Sequence, residues 1–153
     1  MAAGTDTLTT VADRLSGVAA AVHGQGMTMA DLTVVHGDFT RDGGRAAAER
    51  IMREHPETTA IIALNDAMAM GVLSMLRELR IPVPQRVSVV GFDDVSVAAD
   101  LAPGLTTIRL SMTDMGRMAL EMALKPQPAR PRRRSTGHQL VVRDSTAPVR
   151  AQA

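Results

Sequence analysis

Apolar residues recur along this chain in two alternating rhythms. Spacings of three and four put Val11, Leu15, Val18 and Val22 on one face of a helix over 11–22, and Gly24, Gln25 and Gly26 end it. A short β-branched run over 32–35 stops at Gly37 and Asp38. The helical rhythm then returns over 42–55, with Ala47, Ala48, Ile51 and Met52 along the apolar face and Pro56 closing it. Residues 60–64 read as a strand and 66–79 as a helix that Asp66 could cap. The run 81–84 reads as a stiff connection and 87–91 as a third strand. Asp38, Asp66 and Asp93 follow one another at nearly constant intervals, as a repeating strand, turn and helix require. Such a repeat predicts parallel strands joined by right-handed crossovers.

Beyond residue 94 the pattern changes. A short helix is predicted over 95–100, an extended segment over 105–110, a helix over 114–124 and a last strand over 139–142. Between them KPQPARPRRR is too rich in proline for regular structure and reads as an exposed loop. The predicted class is α/β, with a parallel sheet between helices.

Composition narrows the chemistry. A chain of 153 residues that is 45% hydrophobic can bury a single core, which excludes global disorder. Only Phe39 and Phe92 are aromatic, so that core consists of aliphatic residues and eleven adaptable methionines. The absence of cysteine excludes disulfides, thiolate metal cages and cysteine nucleophiles, and the cytoplasm is the expected compartment. A net charge of +1 gives no global pull toward nucleic acid or membrane. No apolar run approaches the roughly 18 residues of a bilayer span, and the first residues do not resemble a secretion signal.

Polar side chains at strand ends are the candidate site. Asn65 and Asp66 follow the second strand of the repeat and Asp93 and Asp94 the third, the edge where open α/β sheets bind ligands. Catalysis has little support: nucleophile-elbow, zinc-binding HExxH and phosphate-loop motifs are all absent, and no cofactor is expected. His23, His36, His55 and His138 show no metal spacing. An acidic magnesium pocket at Asp93 and Asp94 lacks a lysine at a late strand end, since the single lysine is Lys125. Arg130, Arg132, Arg133 and Arg134 adjoin no recognition helix and read as a solvated loop.

Three separated stretches, ALNDAMAMGVLSMLRELRIPVPQRVSVVGFDD, APGLTTIRLSMTDMGRMALEMAL and LVVRDST, resemble in their order the effector-binding domain of the LacI/GalR family of bacterial transcription regulators. Upstream, DRLSGV and VVHGDFTRDGGRAAAERIM resemble the preceding segments of that domain. The resemblance implies a three-layer, type I periplasmic-binding-protein-like fold, mainly its C-terminal subdomain with a partial return segment. It divides the chain into that subdomain over 1–104, a crossover strand and helix over 105–125, a Pro/Arg-rich loop over 126–137, and a final strand and tail over 138–153. It further implies that Met1 to Gly4 is the end of a strand that should have begun earlier, in a sequence truncated at its N-terminus, with DNA contacted only through a headpiece absent from this chain.

Carried over residue by residue, the resemblance places effector contacts on Arg14, Phe39, Asn65 and Asp93. A guanidinium donates in a fixed fork, a carboxylate accepts and an amide does both, which suits the hydroxyl and NH groups of a sugar or nucleoside-like effector. Phe39 offers a stacking face, or a core or lid residue. Asp66 and Asp94 are expected to cap the helices that follow them. Where family members commonly turn a polar side chain toward the effector, this chain has Leu110. The Met-rich helix over 66–79 is implied to dimerise through Met70, Ser74 and Glu78. The expected function is the ligand-sensing, dimerising portion of a cytoplasmic regulator. A transporter's sugar-binding protein and an inactive remnant are the alternatives.

Overall fold

Short apolar strands alternating with one-faced helices leave this chain one economical arrangement, a sheet covered on both sides. The computed structural model describes residues 1–126 and 134–148. The strands are β1 (Ala2–Ala3), β2 (Val35–His36), β3 (Ala60–Ile62), β4 (Ser88–Val90), β5 (Thr107–Leu110) and β6 (His138–Val141). The helices are α1 (Thr9–Gly24), α2 (Arg41–Glu54), α3 (Asp66–Glu78) and α4 (Met112–Ala123), with 3₁₀ turns at Met29–Asp31 and Ser96–Ala99.

β1 runs parallel to β2 with Ala2 opposite Val35, and β3 parallel to β4 with Ile61 opposite Val89. Single bridges from Ala2 to Ala63, from Val90 to Thr106 and from Asp93 to Arg109 join these pairs to each other and to β5. The spatial order is therefore β2, β1, β3, β4, β5, β6. Parallel order holds as far as β5. The last strand, β6, is antiparallel, with Leu140 opposite Ile108.

The twofold alternation of strand side chains divides the core. Ala2 and Ala63 face a cluster with Ala48 and Ile51 of α2, Met68, Val72 and Leu76 of α3, and Ile61 and Val89. Their neighbours Ala3 and Leu64 face the opposite cluster, with Met1 and Val11 of α1. Full burial of a side chain such as Ile61 or Leu76 contributes about 1.5–3 kcal/mol. In α4, by contrast, no residue is buried, and Met112 and Leu120, with Leu124 just past its end, are exposed.

Two glycines let α2 and α3 pack backbone against backbone. A Cβ on Gly44 would lie 2.1 Å from the Met68 carbonyl oxygen, and one on Gly71 would lie 1.9 Å from that of Arg41. Both helices begin on side-chain caps. The Thr40 hydroxyl accepts from the Gly43 N–H at 3.2 Å, and Asn65 Oδ1 accepts from the Met68 N–H at 2.7 Å.

The expected caps Asp66 and Asp94 do not cap. Asp66 is already the first helical residue of α3, one position past the cap, and its carboxylate turns inward to accept from Thr107 Oγ1 at 2.6 Å and from the Val95 N–H at 2.9 Å. The 3₁₀ turn after Asp94 starts from Val95 without a side-chain cap, because the Asp94 carboxylate is drawn to two arginines. Of the arginine-rich loop, Arg130, Arg132 and Arg133 lie outside the described residues. No helix among the described residues is long and apolar enough to cross a membrane.

Candidate functional site

The carboxyl ends of β3 and β4 come together because consecutive strand–helix units leave the sheet on the same edge. The Asp66 N–H donates to the Phe92 carbonyl at 2.8 Å, holding the two strand ends side by side. Into this edge α1 sends Arg14. Its guanidinium donates to the Leu64 carbonyl and to Asp93 Oδ1, the latter at 2.8 Å. The guanidinium carbon sits 3.9 Å from the Phe92 ring centroid and 5.8 Å from that of Phe39, within reach of cation–π attraction. Arg14 is nearly covered, with 13% of its side chain exposed, whereas 32% of the Asp93 side chain is open to solvent.

Of the four residues expected to contact an effector, Arg14, Phe39 and Asp93 converge directly. Asn65 adjoins them but is committed differently: its Oδ1 caps α3 and its Nδ2 donates to the Phe39 carbonyl at 3.2 Å. With both ends of the amide engaged and only 7% of the residue exposed, its present part is to hold the Phe39 loop against the strand end. Phe39 packs on both core clusters and lies over Gly4, where a Cβ would meet the ring at 2.4 Å. Phe92 was not among the expected residues, although it is one of only two aromatics and stands immediately before Asp93.

Asp93 and Asp94 both take positive φ, 118° and 54°, a region that L-residues with side chains seldom occupy. Their carboxyl groups experience opposite environments. Burial pushes the Asp93 carboxyl above its ordinary range, the Arg14 charge and hydrogen bond oppose that shift, and the Asp66 charge adds to it. Asp94 is also pushed up by burial, but hydrogen bonds from Arg143 and Arg109 outweigh burial and hold it below the ordinary carboxylate range. Arg109 Nε donates to Asp94 Oδ2 at 2.5 Å and Arg143 Nη2 to Oδ1 at 2.7 Å, while Arg143 Nη1 also donates to the Leu105 carbonyl at 2.7 Å. Asp94 thus ties the site's loop to β5 and to the chain after β6. Leu110, where a polar contact was expected in relatives, is half-buried at the end of β5.

This rim joins a hydrogen-bond acceptor, a positioned guanidinium and two aromatic faces. Such a set can grip a polar, uncharged ring compound by its edges and stack on its face. The implied dimer residues lie elsewhere, on α3: Met70 and Ser74 are half-buried, Ser74 accepting from Arg41 Nη2 at 3.3 Å, and Glu78 is ion-paired with Arg45 of α2.

Residues 1–146 match the periplasmic binding protein-like domain family. The chain is 34% identical over 111 residues to the ribose operon repressor of Escherichia coli strain K12, covering 72% of this chain and 34% of that protein. It is 35% identical over 119 residues to the transcriptional regulator GalR of the same strain, covering 78% of this chain and 35% of that protein. Among solved structures, the complex of the transcriptional regulator CelR with cellobiose superimposes with a TM-score of 0.84 at 31% identity, over 94% of this chain and 45% of that one. The chain spans about a third of the length of the curated relatives it matches.

Proposed function

The chain belongs to the periplasmic binding protein-like domain family, and on that premise we propose that it is the ligand-sensing, dimerising portion of a LacI/GalR-type transcription regulator. The effector is a small sugar or nucleoside-like molecule held at Arg14, Asp93, Phe39 and Phe92. The protein works in the cytoplasm and binds rather than transforms its ligand. DNA is read by a helix-turn-helix headpiece outside these 153 residues.

One observation carries the reading. In a chain whose relatives include the ribose operon repressor and the transcriptional repressor PurR, Arg14 and Asp93 pair at the ligand-binding edge of the sheet between two aromatic rings. A neutral polyol exploits both charges: its hydroxyls donate to the carboxylate and accept from the guanidinium, and each such charge-assisted bond is worth about 1.5–3 kcal/mol before solvent exposure reduces it. Effector occupancy would then be transmitted as a shift between two arrangements of the parent regulator.

The test is calorimetric titration of the chain with a panel of pentoses, hexoses, disaccharides and nucleosides. At least one class is expected to bind saturably, and Asp93→Ala to weaken that binding by about tenfold or more. A panel with no binder, or a binder indifferent to Asp93→Ala, would refute the assignment. Operator-specific retention of DNA by this chain alone would refute the assignment of DNA reading to a headpiece.

A further inference from the structure

The line between β2 and β3 is filled by β1 only at Ala2 and Ala3, which lie opposite Val35 and His36 on one side, with Ala2 bridged to Ala63 on the other. Further back along that line, residues 31–33 and the stretch from Thr58 to Ile62 border a cavity of about 420 Å³. No strand among the described residues lies between them. The cavity reaches from one helical layer to the other, with Val18 and Val22 of α1 on one wall and Ile51 of α2 on the opposite one. Parallel sheets are ordinarily covered on both faces, yet Ile62 is left 39% exposed.

The register shows which main-chain groups border the cavity. In β3 the Ala63 N–H donates to the Val90 carbonyl at 2.8 Å and the Thr59 carbonyl accepts from the Ser88 N–H at 2.9 Å, so odd-numbered residues serve β4. Even-numbered residues turn toward β1. The Leu64 N–H donates to the Ala2 carbonyl at 3.1 Å, and the same alternation aims the Ile62 N–H and the Ala60 carbonyl into the cavity. On the β2 side the Val35 N–H reaches the Met1 carbonyl at 2.9 Å and the Met1 amino group donates to the Thr33 carbonyl. Next in line stand the Thr33 N–H and the Asp31 carbonyl. None of these four groups has a hydrogen-bond partner among the described residues. Because β2 and β3 both pair with β1, the two walls are two strand spacings apart, about 9.5 Å, which is the room one strand needs.

We infer that this cavity is a strand-accepting slot, taking an extended apolar peptide that runs parallel to β2 and β3 in line with β1 and carries basic residues at its leading end. Two donors and two acceptors on facing walls are the complement of an extended backbone, whereas a small apolar molecule would leave all four unpaired. Successive side chains of the peptide alternate between Ile51 and the pair Val18 and Val22, and three residues span about 10 Å. Charge sets the direction of the flank. Asp31 and Glu57 stand at the far end from β1, and no lining side chain is cationic. The Arg14 rim lies at the opposite, carboxyl end of the strands, so the slot and the effector site fail or stand separately.

The probe is a fluorescein-labelled peptide, Gly-Arg-Arg-Val-Val-Val-amide, with the label on its amino end and binding read by anisotropy. Saturable binding of one peptide per chain is expected, with amide hydrogen exchange slowed at Thr33 and Ile62. Proline in place of the central valine removes one donor, and glutamates in place of the arginines reverse the flank. Each change is expected to weaken binding about tenfold. Ile62→Asp is expected to weaken it similarly while keeping the circular dichroism spectrum, and Leu120→Asp on the exposed face of α4 to leave it unchanged. Equal affinity for the proline peptide, unaltered exchange at both amides, or loss of binding in Leu120→Asp would each overturn the proposal. A dimer that Ile62→Asp dissociates in light scattering would give the slot to a second copy and overturn it as well.

Discussion

Replacing Arg14 with methionine tests the site as an electrostatic unit. The substitution keeps most of the apolar stem and removes the guanidinium, and with it the hydrogen bonds to the Leu64 carbonyl and to Asp93 and the stack on Phe92. Hydrogen bonds to a charged group contribute about 1.5–3 kcal/mol each, and the bond to Asp93 is discounted by about half for its solvent exposure. The ring contact adds about 0.5–1 kcal/mol. Together these predict a loss of roughly 3–5 kcal/mol, a large fraction of the usual stability of a domain this size.

The loss also depends on pH, and the sign follows from Asp93. Its folded pKa is raised, so between the unfolded and folded values the native chain holds more protons, and stability falls as pH rises through the folded value. Arg14 limits that rise, and without it the carboxylate becomes costlier still. The penalty of Arg14→Met should therefore be largest near neutral pH and shrink as pH falls through the raised Asp93 value, where the carboxyl becomes protonated. Urea unfolding followed by far-ultraviolet circular dichroism measures it, alone and in a cycle with Asp93→Asn. A penalty equal at acidic and neutral pH, or a coupling energy under about 0.3 kcal/mol, would refute the reasoning.

Asp94→Asn should act in the opposite pH sense. Its lowered folded pKa stabilises the protein above the unfolded value and is lost as pH falls through the folded one, so the variant should be less stable by about 2–4 kcal/mol at neutral pH and show a flatter acid limb. Gly71→Ala drives a Cβ into the Arg41 carbonyl oxygen and within 2.7 Å of the Arg45 nitrogen. Because backbone cannot swing aside, about 1–3 kcal/mol should be lost, lowering the calorimetric melting temperature by several degrees. Met70→Arg should convert a dimer to a monomer in light scattering. A monomeric unmodified chain would refute the dimer reading, and a dimeric Met70→Arg would exclude this face from it.

Periodicity made the helices and strands legible to within a few residues, because apolar spacing along α1, α2 and α3 reports the face that each one buries. Which polar residue caps α3 was not legible. Asn65 and Asp66 are adjacent and both are good caps. The choice is made by Thr107 and Val95, which approach from about 30–40 positions away and draw Asp66 inward. Phe92 escaped for a related reason: within GFDD the carboxylates are the conspicuous chemistry, and only the path of Arg14 across the sheet end reveals the ring as its stacking partner. For α4 the apolar spacing gave the helix correctly and said nothing of its packing, since Met112, Met115 and Leu120 are exposed and no residue of the helix is buried.

Asp93 and Asp94 share a peptide plane flanked by two left-handed residues, with few neighbouring conformations to relax into. One end of that plane is tethered to α1 through Arg14, the other to β5 and the returning chain through Arg109 and Arg143. So short and stiff a crossbar tilts more readily than it bends. A sideways slip of the last two strands would therefore reach Arg14 as a rotation of the carboxylate it grips, with little taken up along the way.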